Sequence, residues 1–506
     1  MADENVQVGK YTLESLTTGM YSDPKIVYRE YIQNSVDSLE MAVEAGLLES
    51  QSMRIDIIVD SEASSISIRD NGMGIPFSEA KDTLMNVGNS KKRHSNNRGF
   101  RGIGRLGGMS YCDTLVFTTS AETEKKKTTV TFDCKKLRNL LIPGQHEDMS
   151  LSDVLSEITT VKYSEERADR HYFLVEMQNV SSFSDLLNIE LVKSYVAQVA
   201  PVPYQSRYFI YSTELRGYLS NRGYKLEEFP IFIGECESDL EPIYKPNRSR
   251  FHSDRNKKKP DDITSMRYFD VTIEGELYAL GWYGNCNWYG SLSSHEISGL
   301  RVRKGNILIG DSKTLNAIFR EARFNGWTQG ELFILTDKLI PNARRDDFEQ
   351  NEFYFKLLDY LSTSIGPEIS HAIREASISR NDPSAKVLRE VKKKVDEANR
   401  MLQDGFNSSV DKEKLLEELA DTAASLEKAK IKESYRDEQE DLRKKIAATV
   451  DQVADSNNYK LNQINSGIDR KSKKILAVVS DILSQKLAKF LVDEIIEEII
   501  KELNRK

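Results

Sequence analysis

Long apolar runs are absent from this chain of 506 residues. A membrane-spanning helix needs about 20 consecutive apolar residues, so we expect no membrane span. Cysteines are few: Cys112, Cys134, Cys236 and Cys286 lie far apart, with no C-x-x-C pair. This spacing predicts buried thiols in a reducing compartment rather than a disulfide framework or a zinc site. The opening "MADENVQVGKYT" lacks the pattern of a signal peptide, and we expect a cytoplasmic protein.

An excess of positive charge is also lacking. Charged residues make up 30% of the chain and hydrophobic residues 39%, and the formal net charge is −8. This balance is typical of a folded, charge-rich protein, and it argues against nucleic acid as a partner. One basic stretch, "KPNRSRFHSDRNKKKPDD" at 245–262, stays open to two interpretations. It is either a solvated loop or a local contact for an anion or nucleic acid.

The chain divides into three predicted domains. Residues 1–200 alternate helical and strand-like patterns, the strands being "MRIDIIVD", "SSISIRD", "TLVFTTS", "KTTVTFD" and "HYFLVEM". Residues 201–375 give a second mixed region, with strands in "FDVTIEGELYALGWYG" and "LRVRKGNILIG" and helices in "KTLNAIFREARF" and "EFYFKLLDYLSTSI". The predicted fold class is therefore α+β, with two mixed layers of sheet and helix.

Residues 376–506 have a different composition. No proline follows Pro383, and Leu, Lys, Glu, Ala and Asp dominate. This predicts an all-α region with coiled-coil character. Its last stretch, "ILAVVSDILSQKLAKFLVDEIIEEIIKEL", has a broad apolar face that must be buried. We prefer self-association into a homodimer over packing within the chain, while the many acids of the polar face argue against a membrane surface.

Polar residues interrupt one face of an otherwise apolar helix. In "YREYIQNSVDSLE" the residues Glu30, Asn34 and Asp37 are four and three positions apart, so they share one stripe of the helix. Such a stripe alone is also typical of an ordinary, partly exposed helix face. Its meaning depends on the motifs that follow it along the chain.

Two glycine motifs follow. "RDNGMGIP" places Asp70 at a strand end, before Gly72 and Gly74, which leaves a fixed carboxylate beside a backbone without side-chain bulk. A plain turn would explain only the "DNG" part. "NVGNSKKRHSNNRGFRGIGRLGG" at 86–108 is basic and rich in glycine, as backbone that approaches a polyphosphate must be. It also fits G-x-G-x-x-G, but no strand precedes it, so a dinucleotide-binding unit is excluded.

The order of these motifs resembles the Bergerat ATP-binding fold of the GHKL superfamily, which includes heat-shock chaperones, type II topoisomerases, mismatch-repair ATPases and histidine kinases. "TLESLTTGMYSDPKIVYREYIQNSVDSLEMA" is most similar to the ninety-kilodalton heat-shock chaperones. "ISGLRVRKGNILIGD" and "ELFILTDKLIPNARRDDFEQN" resemble the middle domain of that family. The resemblance covers roughly the first 375 residues, is patchy between 121 and 172, and leaves the helical C-terminal region unrelated.

The resemblance implies ATP and Mg²⁺ as ligands and assigns roles to residues. Glu30 would be the general base and Asn34 would hold Mg²⁺. Arg345, with Arg344 as its rival, would reach the γ-phosphate as arginine fingers do. The nucleotide pocket would be formed by Asp37, Asp70, Gly72, Gly74, Asn86, Lys92, Gly102 and Gly104, with Asp70 accepting a hydrogen bond from the adenine amine and the last two glycines in a mobile lid.

The chain departs from the pattern of the family in its pocket. Gly107-Gly108 stands where the lids usually carry a serine, and Ile75 stands where a methionine is usual. "RHYFLVEM" offers no threonine for the adenine, so another residue or water must fill that role. Adenine contacts are therefore expected to be altered, and client binding cannot be carried over to the unrelated C-terminal region.

Three functions are compatible with these motifs. The first is a slow, ATP-hydrolysing, chaperone-like dimer, in which ATP closes the lid and docks the middle domain, acting on a protein client or partner. The second is an ATP-gated sensor or scaffold in a multi-protein system such as bacterial antiphage defence. The third is a DNA-acting GHKL ATPase, which the acidic charge disfavours. A histidine kinase is disfavoured, because its phosphoacceptor histidine would precede the ATP-binding domain and none of the 6 histidines precedes Glu30.

Overall fold

The computed structural model describes residues 9–16, 23–86, 104–146, 148–180, 184–254, 256–379, 382–406, 409–456 and 458, with separate positions between 475 and 499. They form two compact units, Met1–Ser370 and His371–Lys506. Among the described residues, no helix is long and apolar enough to cross a membrane.

Eight strands form the first sheet: β1 (Ile55–Asp60), β2 (Ser65–Asp70), β3 (Thr114–Ser120), β4 (Lys126–Asp133), β5 (Thr159–Glu165), β6 (Tyr172–Gln178), β7 (Ile231–Gly234) and β8 (Glu241–Pro242). Their order in the sheet is β5-β4-β3-β6-β2-β1-β7-β8. β1 runs antiparallel to β2, with Ile55 opposite Asp70, and parallel to β7. Alternate residues of β1 are buried, as a sheet with one covered face requires.

In the part of the chain that the structure describes, the helices before and between the strands of this sheet are α1 (Tyr11–Leu16), α2 (Ile26–Glu44), α3 (Phe77–Met85), α4 (Cys134–Leu140), α5 (Leu151–Ile158), α6 (Ser184–Leu187), α7 (Ile189–Val199) and α8 (Ser212–Ser220). The longest, α2, packs Tyr28, Ile32 and Val36 into the same core as Ile68 and Phe117 of the sheet. Its polar stripe is thereby fixed over the sheet.

The second sheet follows a short hairpin of β9 (Arg250–Ser253) and β10 (Asn256–Asp262). Its strands are β11 (Ser265–Ile273), β12 (Glu276–Asn285), β13 (Gly299–Lys304), β14 (Ile307–Ile309) and β15 (Gln329–Ile334), in the order β11-β12-β15-β13-β14. Of the two interpretations of 245–262, the solvated loop is therefore wrong in part. Residues 250–253 and 256–262 form the two strands of the hairpin, and Lys245, Asn247 and Asp261 are buried.

A fully buried set of charges lies on the second sheet, and we call it the Glu331 cluster: Tyr204, Lys245, Trp282, Arg303 and Glu331. Lys245 Nζ lies 3.2 Å from Glu331 Oε1, and Arg303 Nε donates to the same oxygen. The Tyr204 hydroxyl donates to Oε2, as does Trp282 Nε1 at 3.3 Å. Because burial opposes ionisation but the two cations outweigh it, the pKa of Glu331 falls to about 2.

The remaining helices are α9 (Glu352–Tyr360), α10 (Gly366–Ser379), α11 (Pro383–Asp404), α12 (Ser409–Lys428) and α13 (Arg436–Asp455), with a π-helical turn at Leu361–Ile365. Asp382 caps α11, and its Oδ1 accepts from Ser384 N at 2.9 Å. Two apolar clusters join α11, α12 and α13 into a bundle. In the last stretch, Leu476, Val492 and Ile496 are buried together, so part of its apolar face is covered within the chain.

The predicted α+β class with a helical C-terminal region is confirmed. Two local expectations are wrong. Residues 313–324 form short 3₁₀ turns instead of a helix, because the Asn325 amide donates to Ser312 O and Asn316 Oδ1 and holds the backbone in turns. Cys236 is exposed, whereas the other three cysteines are buried as expected.

The three domains stay a prediction, and β7 and β8, which follow residue 200, belong to the first sheet.

Candidate functional site

The polar stripe of α2 is buried. Glu30 is 8% exposed, and Gln33 and Asp37 are each 1% exposed, while Asn34 is half-buried. Since Gln33 is three residues after Glu30 and four before Asp37, it belongs to the same stripe. Gln33 was not among the predicted site residues, because a buried glutamine cannot be told from an exposed one in sequence.

The end of the glycine-rich segment lies against this stripe. A Cβ on Gly104 would lie 2.1 Å from Glu30 Oε2, and a Cβ on Gly108 would lie 2.3 Å from the Tyr31 hydroxyl. That hydroxyl accepts from Gly108 N and donates to Arg105 O, each at 3.1 Å. The glycine that replaces the usual lid residue is therefore explained by its close approach to Tyr31.

Asp70 lies at the end of β2 and is 1% exposed. Burial raises its pKa to about 6, although hydrogen bonds from Gly72 N, Ser35, Ser38 and Phe173 lower it. A carboxylate has about four lone-pair sites, so these donors nearly saturate it. A ligand amine would have to replace a serine hydroxyl, which can rotate to another acceptor.

The loop after Asp70 is shaped by glycine and by a threonine. Gly74 has a φ of +66°, and a Cβ there would lie 1.9 Å from the Ser120 carbonyl oxygen. Ile75 N donates to Thr119 Oγ1 at 2.8 Å, and this hydroxyl donates to Tyr172 O at 3.1 Å. Thr119 of β3 was missed by the sequence analysis, which searched β6 for a pocket threonine.

A loop from beyond the second sheet meets the start of α2. Arg345 Nε lies 3.5 Å from Glu30 Oε1, and the Arg345 side chain is 13% exposed. Arg29 donates to the carbonyls of Arg344 at 2.6 Å and Arg345 at 3.4 Å. The Arg344 side chain is exposed. Arg345, whose φ of +56° is unusual for a residue with a side chain, is therefore the arginine next to Glu30.

Several buried polar atoms at this place have no hydrogen bond. We call Arg29, Glu30, Gln33 and Arg345 the Glu30 cluster. Among the described residues, Glu30 Oε1, Arg29 Nε and both polar atoms of Gln33 have no hydrogen-bond partner. Buried polar groups are almost always hydrogen-bonded, so these atoms indicate a place where a polar ligand or water binds.

The structure describes only some of the remaining predicted residues. Asn86 follows α3, and its carbonyl accepts from Arg105. Lys92 and Gly102 lie outside the described residues. In the part of the chain that the structure describes, no group of three His, Cys, Asp or Glu side chains could hold a metal. Asn34 stays the predicted ligand of Mg²⁺, a metal that prefers few protein ligands together with phosphates and water.

Comparison with known proteins bears on this part of the chain. Residues 21–158 match the family described as histidine kinase-, DNA gyrase B- and HSP90-like ATPases. This part of the chain is similar to the ATPase domains of that family. The match spans α2 with its stripe, the Asp70 motif and the glycine-rich segment. The predicted GHKL resemblance is thereby confirmed.

One curated relative supports the HSP90-like branch of the ATPase domain. It is a chaperone protein HtpG of Polaromonas naphthalenivorans (strain CJ2), which is 33% identical over 87 residues. The alignment covers 16% of this chain and 14% of that protein. The chain thus matches about a seventh of the length of this relative.

Proposed function

We propose that this protein is a Mg²⁺-dependent, ATP-hydrolysing, chaperone-like protein. The observation that carries the proposal is the meeting of Glu30 and Arg345, 3.5 Å apart, although 315 positions separate them in the sequence. A carboxylate on α2 and a cation from the loop that follows the second sheet are two groups that would assist phosphoryl transfer to water.

Binding of ATP is assigned to residues around α2. Asp70 would accept the adenine amine, with Gly72 and Gly74 leaving room for the flat base. The proposed phosphate side comprises Asn86, Lys92, Gly102 and Gly104, with Asp37 assisting. Mg²⁺ would be held by Asn34, and when bound it supplies charge neutralisation to the phosphates.

Hydrolysis is assigned to the Glu30 cluster. Glu30 Oε1 accepts no hydrogen bond among the described residues, and this carboxylate would accept a proton from an attacking water. Arg345 would stabilise the charge that develops on the γ-phosphate. Arg29 would hold the arginine loop in place, because its guanidinium binds the carbonyls of Arg344 and Arg345.

The proposed cycle couples this site to conformation. ATP would close the glycine-rich lid and fix the arginine loop on α2, and hydrolysis would release both. The C-terminal helices would join two chains into a dimer, so that the change is transmitted to a bound client or partner protein.

The test is steady-state ATP turnover with Mg²⁺, with ATP binding measured alongside. We expect Glu30→Gln to lower turnover about 10²- to 10⁴-fold and Arg345→Gln to lower it about 10³-fold or more, while both still bind ATP. The exposed residues Glu62 and Arg320 provide matched controls, since Glu62→Gln and Arg320→Gln should leave turnover unchanged. A wild type that binds ATP without hydrolysing it would contradict the proposal and favour the ATP-gated sensor.

A further inference from the structure

A groove of about 480 Å³ lies on the face of the first sheet opposite the candidate nucleotide site. Neighbouring residues of a strand point to opposite faces, so Arg69 and Tyr172 line this groove, whereas Asp70 and the Phe173 backbone meet on the other side. The groove is therefore separate from the Glu30 cluster, although the same strands build both. Among the described residues, none of those assigned to ATP binding or hydrolysis lines it.

The groove is cationic on an acidic chain. Its walls carry Arg69, Lys127, Arg167 and Arg170 against two carboxylates, Glu166 and Glu176, while the whole chain has a net charge of −8. Local clusters of one sign on a surface of the opposite sign attract ligands of complementary charge. An anionic ligand is therefore the natural occupant.

Two arginines of the groove, Arg69 and Arg170, are available for such a ligand. Lys127 is already within 3.7 Å of Glu166, and Arg167 pairs with Asp169. In contrast, the Arg69 guanidinium stacks on the Tyr172 ring at 4.6 Å and Arg170 is exposed, and neither forms an ion pair with another described residue. Guanidinium groups of this kind bind carboxylates with two parallel hydrogen bonds.

The other lining groups distinguish between kinds of anion. Glu166 and Glu176 would repel a continuous run of phosphates but would accept hydrogen bonds from peptide N–H groups. The floor adds the hydroxyls of Thr118 and Thr129, 3.3 Å apart, which both donate and accept. A chain that alternates carboxylates with amide donors satisfies this mixture better than a polyphosphate does.

We propose that this groove binds an acidic peptide segment of a partner protein. Arg69 and Arg170 would bind its carboxylates, and Glu166, Glu176 and the threonine hydroxyls would bind its backbone. This site is independent of the proposed ATPase activity and can be tested without nucleotide.

The experiment is fluorescence anisotropy on the full chain with three labelled probes: a ten-residue peptide of alternating Glu and Ser, the same peptide with Gln for Glu, and a ten-nucleotide single-stranded DNA. We expect the acidic peptide to bind, and the Gln peptide to bind at least tenfold more weakly. Since each lost charge-assisted hydrogen bond is worth about a tenfold change in Kd or more, R69Q/R170Q should weaken the acidic peptide at least tenfold.

Controls keep the outcome clear. R170Q alone changes an exposed loop residue and should weaken binding while retaining the wild-type circular dichroism spectrum. Arg320→Gln, on another surface, should bind the acidic peptide as the wild type does. The proposal is overturned if the acidic peptide does not bind or binds R69Q/R170Q equally well. It is also overturned if the DNA binds more tightly than the peptide and loses affinity in the same variant.

Discussion

Two buried clusters of charge in the Met1–Ser370 unit differ in how completely their atoms are hydrogen-bonded. In the Glu331 cluster both carboxylate oxygens accept hydrogen bonds, from Lys245, Arg303, Tyr204 and Trp282. In the Glu30 cluster, Glu30 Oε1 and the Gln33 amide have none among the described residues. A satisfied cluster rigidifies a fold, whereas an unsatisfied one is kept at a cost in stability. This difference indicates that the Glu331 cluster is structural, and it supports the proposal that the Glu30 cluster binds a ligand.

Breaking the satisfied cluster should have the largest effect. Glu331→Gln removes the anion and leaves Lys245 and Arg303 buried together, which should cost about 3–5 kcal/mol of unfolding free energy. Urea unfolding followed by tryptophan fluorescence measures this region, because all 3 tryptophans, Trp282, Trp288 and Trp327, follow residue 280. Glu237→Gln, at an exposed position, should change stability by less than about 0.5 kcal/mol. Equal effects of the two substitutions would refute the structural role.

Two glutamines, one without and one with hydrogen bonds, provide a second test of the difference between unsatisfied and satisfied polar groups. Gln33 has no hydrogen bond among the described residues, whereas the Gln198 amide donates to Ser194 O at 3.1 Å and its oxygen accepts from Arg301 at 3.3 Å. Without nucleotide, Gln33→Met should therefore raise the free energy of unfolding by about 1–2 kcal/mol, and Gln198→Met should lower it by a similar amount. With saturating MgATP, the increase in unfolding free energy that Gln33→Met causes should be smaller. Thermal unfolding of both variants checks the two signs, and a loss of stability in Gln33→Met would contradict the interpretation.

The smallest expected effect is the change of adenosine binding with pH. The folded pKa of Asp70, raised to about 6 by burial, lies above its unfolded value of about 4. The contribution of this group to stability is thus present below about pH 4 and lost as the pH rises through 6. An amine donor needs the ionised carboxylate, so adenosine should bind about tenfold more weakly at pH 5 than at pH 7.5.

Adenosine suits this measurement because it carries no phosphate that titrates in the same range. Asp70→Asn should give weak binding with a flat pH profile. Asp148→Asn, at an exposed position, should keep the profile of the wild type. A flat profile in the wild type would show that Asp70 does not receive the base.

Local pattern predicted much of the fold. The period-two alternation of β1 and β2 and the apolar face of α2 are properties of short stretches, and the structure confirms these elements. The parallel pairing of β1 with β7 depends on residues about 175 positions apart, which no local pattern encodes. The expected helix at 313–324 failed because Asn325 competes for backbone groups through its side chain.

The candidate site was predicted where its residues share one helix stripe or one glycine motif, as Glu30, Asn34, Asp37 and Asp70 do. Arg29 and Gln33 were missed because a buried polar side chain looks like an exposed one in sequence. Arg29 donates to two carbonyls more than 300 positions away in the sequence, and no local pattern encodes such a contact. Proximity of Arg345 to Glu30 agrees with the predicted roles, which the turnover experiment tests.

We propose that the Glu30 cluster and Asp70 form an adenine nucleotide site. Calorimetric titration of the wild-type chain with MgATP and with MgGTP tests this most directly. We expect one ATP bound per chain and much weaker binding of GTP. Guanine presents an oxygen acceptor where adenine presents an amine donor, and the ionised Asp70 carboxylate can only accept hydrogen bonds. Absence of ATP binding, or equal binding of the two nucleotides, would contradict it.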